Sequence, residues 1–169
     1  NVSTVTDMGN MFNGATNFNQ NISNWAVSSV SDMRWMFKEA TNFNFSISKW
    51  DVSKVTSMHQ LFQDASSFNQ NISNWEVSKV KGRGEMSDDA KNIDQDLSSW
   101  KVSKVNNMWT MFRNAQAFNQ DIGVWNVSSV TNMGFMFQNA QNFDQDLGLW
   151  NVTSVGTMVN MFASASLST

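Results

Sequence analysis

The sequence predicts a right-handed α/β solenoid, and three observations carry that reading. Trp25, Trp50, Trp75, Trp100, Trp125 and Trp150 recur every 25 residues without an insertion, which is the mark of a chain built from stacked units rather than around one compact core. Within each period the apolar residues fall first at helical spacing and then in a short segment of strand length. A strand returning through a helix to a parallel strand takes the right-handed sense. The expected coils are 1–25, 26–50, 51–75, 76–100, 101–125 and 126–150, with a partial seventh at 151–169. Together they form one domain, and because Asn1 opens in full repeat phase the chain reads as a segment of a longer one.

Each coil begins with paired valines. Val2 and Val5 found two unbroken columns that run to Val152 and Val155, with Ser3 and its equivalents between them. Met8, Met11, Phe12 and Ala15 follow at the i, i+3, i+4, i+7 spacing of one helical face, so a helix of about two turns is expected there. Thr6, Thr56 and Thr131 stand where an N-cap hydroxyl would serve it, with Asp7 or Asn132 placed as the helix dipole favours. Phe18 to Trp25 is expected to be extended and to pair with its equivalent in the next coil as a parallel ladder. All 12 Met and 11 of the 13 Phe lie in these columns, so the Met and aromatic richness describes a core and implies no cofactor.

Composition excludes several functions. Cys, Pro and Tyr are absent, which removes disulfides, thiol nucleophiles and Cys-based zinc sites. A net charge of −3 with both signs scattered offers no basic face for nucleic acid or for an anionic membrane. No apolar run reaches the roughly 20 residues that span a bilayer, so no membrane insertion is expected of this segment. His59 is the only histidine, and with no nucleophile or ligand cluster at matching spacing nothing points to an enzyme. The Asn-x-Ser/Thr sequons at Asn1, Asn21, Asn44, Asn71, Asn126 and Asn151 follow from the repeat itself.

At this point a resemblance can be stated. The run Trp-Asn-Val-Ser-Ser-Val-Thr-Asn-Met-Gly-Phe-Met-Phe-Gln-Asn-Ala-Gln-Asn-Phe-Asp-Gln-Asp-Leu, from Trp125 to Leu147, resembles the bacterial surface-protein repeat related to BspA-like leucine-rich repeats, and the likeness extends over essentially the whole chain. It implies a leucine-rich-repeat-like solenoid on secreted or surface-anchored proteins, often lipoproteins, with adhesive or unassigned roles. It supplies no catalytic residues.

Departures from the repeat mark the candidate sites. In coil four Arg83 stands at a Met position, Ser87 at a Phe position and Ile93 at the second Phe position, which should turn Arg83 outward and make this coil the weakest. Lys81, Arg83, Glu85, Asp88 and Asp89 would line a groove or hinge there, unless the coil has merely drifted. Arg34, Trp35, His59, Trp109 and Phe135 stand at two positions where other coils place Gly9, Asn10, Gln60 or Asn160, and Phe45 replaces a Gln. Exposed aromatics beside Arg34 and Arg113 have the composition of interaction hot spots. The carboxylates Asp94, Asp96, Asp121, Asp144 and Asp146 gather in coils four to six, where they are either a backbone-bonding ladder or a calcium site. The expected function is a non-catalytic extracellular or cell-surface adhesion module that binds a protein or glycan on another cell or matrix. Alternatives are a block that assembles end to end with copies of itself, and an ice- or glycan-binding face built on the Ser column.

Overall fold

The computed structural model describes residues 1–81 and 86–167. Residue i of each coil stacks on residue i+25 of the next, but the coils contain neither of the expected elements. Among the described residues there is no helix, and extended pairing is reduced to isolated parallel bridges, Asp7 to Asp32 to Ser57 and Asn107 to Asn132 to Thr157. The α/β reading, a short strand plus a short helix per coil, is therefore overturned.

The reason lies in the amides between Met8 and Gly14. Alternate N–H groups leave the coil: Met8 donates to the carbonyl of Asp32 at 3.0 Å, Asn10 to Arg34 at 2.9 Å, Phe12 to Met36 at 2.9 Å and Gly14 to Lys38 at 2.8 Å. Those between them close turns within the coil, Met11 to Met8 at 3.3 Å, Asn13 to Asn10 at 3.0 Å and Ala15 to Phe12 at 3.1 Å. Two of these turns carry a positive φ at their third residue, Asn10 (60°) and Gly14 (72°), which is the signature of a type II turn. A helix would have sent every amide to its fourth predecessor and kept φ negative throughout. Successive tight turns put Met8, Met11, Phe12 and Ala15 on the inside at the same spacing that a helix would have used.

The cap and strand expectations are corrected by the same bonds. Thr56 Oγ1 donates to Ser31 O at 3.2 Å and Thr131 Oγ1 to Asn106 O at 3.0 Å, so these threonines tie one coil to the one before it and cap nothing. Asp32 Oδ1 accepts the amide of Arg34, and Asn132 Oδ1 that of Gly134; these are Asx turns within the coil. Where a strand was expected, the backbone instead turns, with Phe18 N–H on Ala15 O and Trp25 N–H on Ile22 O. A side chain takes the place of the strand's acceptor. Asn44 N–H donates to Asn19 Oδ1, Asn69 to Asn44, Asp94 to Asn69, Asn119 to Asp94 and Asp144 to Asn119, all at 2.9 or 3.0 Å.

The interior consists of columns. Phe pairs within a coil stack at 4.0 to 4.1 Å between centroids in Phe37–Phe43, Phe62–Phe68, Phe112–Phe118 and Phe137–Phe143, and successive coils continue the stack at 5.5 to 6.0 Å. Each buried indole also bonds backward across coils: Trp50 Nε1 to Ile22 O, Trp75 to Ile47 O, Trp100 to Ile72 O, Trp125 to Leu97 O and Trp150 to Ile122 O. The Trp column thus combines a large apolar contact with satisfaction of a buried carbonyl.

Coil four interrupts the Phe stack. Ser87 is completely buried where a Phe would stand, and its Oγ has no hydrogen-bond partner. Ile93, also buried, fills the second Phe position. The expected outward turn of Arg83, and the contribution of Glu85 to a groove, lie outside the described residues. Asp88 is not a groove residue: it is 1% exposed and clasped by Arg113 of the next coil, Nε to Oδ1 at 2.7 Å and Nη2 to Oδ2 at 2.6 Å. Arg113, expected beside the aromatic hot spot, is therefore engaged on this carboxylate. Backbone ladder bonds still cross the coil on both sides, Phe62 N–H to Met86 O and Ser87 N–H to Met111 O.

Two stability measurements test this account. Trp100→Phe removes the indole donor and part of the ring, and should lower the unfolding free energy by about 2 kcal/mol, measured by urea titration. Ser87→Ala removes a buried hydroxyl with no partner and should raise stability by about 1 kcal/mol in the same titration; a loss would show that the hydroxyl is satisfied in solution.

Candidate functional site

The repeat's two left-handed positions explain where the site forms. At the first, φ is positive at Asn10, Trp35, Gln60, Thr110, Phe135 and Asn160; at the second, at Gly14, Glu39, Asp64, Asp89, Asn114, Asn139 and Ser164. Gly, Asn and Asp tolerate this region, whereas a bulky or β-branched residue there costs about 1–2 kcal/mol. Trp35, Thr110 and Phe135 are thus placed where the backbone favours them least.

Two aromatic clusters lie along the first of these positions and its preceding neighbour. In coils two and three Trp35 meets His59 edge-on at 5.8 Å, its Nε1 donates to Gln60 Oε1, and the Arg34 guanidinium sits 5.2 Å from its ring centroid. Arg34 is exposed and held by Asp32, Nη2 to Oδ2 at 2.6 Å. Burial pushes the Asp32 carboxyl up, but the hydrogen bonds from the Arg34 side chain and amide, with its charge, hold it below the ordinary value. In coils five and six Trp109 meets Phe135 edge-on at 4.8 Å. A Cβ on Gly134 would lie 2.4 Å from a ring carbon of Trp109, so the absence of a side chain there lets the indole lie down on the backbone. Trp35, His59, Trp109 and Phe135 are all half-buried. Phe45 is 38% exposed and stands away from both clusters in sequence position, where Gln70, Gln95, Gln120 and Gln145 instead bond to the preceding coil.

Four of the five acidic positions accept backbone amides. Asp94 Oδ1 accepts the amide of Asn119 and the Gln120 side chain, while Asp96, Asp121 and Asp146 accept the amides of Ser98, Gly123 and Gly148. The bonds from Ser98 amide and hydroxyl hold the Asp96 carboxyl below its usual value. One set points along the stack and the other folds back on its own turn. Among the described residues no group of three or more His, Cys, Asp or Glu side chains is arranged to hold a metal ion, and no helix is long and apolar enough to cross a membrane.

Two exposed aliphatic residues escape a reading by composition. Val124 and Leu149 are 64% and 85% exposed on adjacent coils, at a position that elsewhere reads Asn24, Lys49, Asn74 and Ser99; comparison down that column would have found them. Val124 borders a depression of about 350 Å³ lined also by Ser98, Trp100, Lys101 and Asn126. A cavity of about 420 Å³ lies at the last turns, between Asp144–Leu147, Phe162 and Leu167. Met11 and Met158, both over 40% exposed, lie on the first and last coils.

Comparison with known sequences now places the chain. The profile of DUF285, described as "Mycoplasma protein of unknown function", matches residues 1–98 and 84–168. The chain belongs to this family. The two matched stretches overlap in coil four, and they make this a repeat protein of the DUF285 family. No curated protein and no solved structure matches it.

One charge effect on the second left-handed position is measurable. Burial raises the Asp64 carboxyl, and Asp89 and Glu39 in the coils on either side raise it further. A folded-state value above the unfolded one means that ionised Asp64 opposes folding at neutral pH, and that this opposition disappears as pH falls through the raised value towards 3.8. Asp64→Asn should therefore raise the thermal midpoint at pH 7, with the difference from wild type shrinking to nothing below pH about 4, as followed by calorimetry at stepped pH.

Proposed function

We propose that this DUF285 chain is a non-catalytic interaction module, displayed outside the cell or on its surface, that binds through the strip bearing Arg34, Trp35, His59, Trp109 and Phe135. One observation supports the reading above others. Trp35 and Phe135 occupy left-handed backbone positions that the same repeat fills elsewhere with Asn10 and Asn160, so each aromatic is retained against a backbone cost of about 1–2 kcal/mol. Large aromatics beside an arginine are also the residues that dominate binding energy at interfaces. The surface location draws on the resemblance to BspA-like surface repeats, and an adhesive role is the reading that joins location to strip.

The repeat itself supplies the test. Trp35→Asn, Phe135→Asn and Trp109→Gly each restore the residue type that another coil carries at that position. Unfolding free energy should change by less than about 1 kcal/mol in each Asn variant, because Asn relieves the left-handed strain at positions 35 and 135 while the core is untouched. Binding of the labelled protein to animal cells or extracellular matrix should fall at least tenfold in the triple variant. Undiminished binding by a folded triple variant would remove the strip from consideration.

A further inference from the structure

We infer, building on the interaction reading above, that the ligand of this strip is a neutral polysaccharide chain lying along the stacking axis across both aromatic clusters. Three features point there.

The first is charge. The Arg34 guanidinium beside Trp35 is neutralised where it stands by Asp32 at 2.6 Å, and Arg113 is taken up by the buried Asp88 at 2.6 Å. The side chains that accept the amides of Trp109, Gly134 and Val159 are the neutral Asn107, Asn132 and Thr157. A strip whose charges cancel locally offers little to an anionic polymer or to a charged peptide, because long-range attraction needs an uncompensated field.

The second is shape. A folded protein partner needs about 800 Å² of this surface, with a contiguous apolar centre. Here the rings are half-buried, and the two clusters are separated along the stack by coil four. The two cavities described above open elsewhere, with linings at Ser98–Asn126 and Asp144–Leu167. Separate, shallow, aromatic platforms suit a ligand that is itself long, thin and without a compact core. The C–H faces of a sugar ring lie on an indole, and its hydroxyls reach the amides around it.

The third is alignment. Both clusters stand on the same two positions of the repeat, and the ladder is continuous between them through Phe62 N–H to Met86 O and Ser87 N–H to Met111 O. Trp35 and Trp109 are therefore three coils apart along one axis, roughly 14 Å at a spacing of about 4.8 Å per coil. A chain of several sugars spans that distance and engages both platforms at once, which multiplies two weak contacts.

Electrophoresis of the protein through native gels cast with hydroxyethylcellulose, xylan, galactomannan, glycogen or dextran, with heparin as the charged comparison, tests the inference. At least one neutral polymer should retard the wild type while heparin does not. Trp35→Asn and Trp109→Gly should each weaken the retardation at least fivefold, and the disaccharide of the same polymer should compete at least tenfold less well than its hexasaccharide. Failure of all five neutral gels to retard the protein, or equal retardation of wild type and both variants, would overturn the inference. Cells oxidised with periodate separate this failure from that of the interaction reading. Strip-dependent binding that survives oxidation but not protease treatment assigns the strip to a protein and rejects the polysaccharide.

Discussion

The division of labour among the amides of Met8 to Gly14 is the constraint on which the structure depends. Each coil must use half of these groups to bend its own backbone and the other half to hold the next coil, and neither task is possible in a helix, whose amides are all spent on itself. Bending requires residues that accept positive φ, which accounts for Asn, Asp and Gly at the two left-handed positions. Holding requires a constant 25-residue register, since a single insertion would displace every inter-coil bond together with the Phe, Trp and Asn columns.

Polar residues complete what the backbone leaves open. In the segment from Phe18 to Trp25 the backbone turns away from its neighbour, and the Asn19 column supplies the missing acceptor while the Trp column supplies a donor. Asx turns at the Asn1, Asp7 and Asn21 positions close the corners. These bonds explain why a chain so rich in Asn, Ser and Gln forms an ordered stack: apart from a few side-chain atoms such as Ser87 Oγ, its cornered polar groups are matched with partners and avoid a desolvation cost.

The period, the core columns and the break in the Phe column at Ser87 and Ile93 were legible from the letters alone, because repetition shows which positions are held apolar. The helix was not. Its spacing of Met8, Met11, Phe12 and Ala15 is shared by a run of tight turns, and only the letters between them distinguish the two: Asn10, Gly14, Asp64, Asn114 and Asn139 are turn formers that accept left-handed backbone. Trp35, Thr110 and Phe135 obscured that signal by standing at the same positions. The aromatic strip was visible as a departure from the repeat, but the bond from Trp35 to Gln60 and the bed that Gly134 makes for Trp109 depend on which residues of adjacent coils meet. Arg113 was misplaced for a similar reason, since nothing in its own coil announces the buried Asp88 one coil earlier.

The inter-coil bonds also run in both directions. Met8, Asn10, Phe12 and Gly14 donate forward, whereas Ser31, Asn42, Asn44 and the Trp50 indole donate backward. Peptide dipoles in a helix add head to tail and leave charge at its ends; here opposing sets offset one another at every level of the stack. A protein of this kind gains length without gaining polarity, so coils can be duplicated or lost in whole periods with no growing electric field to oppose them.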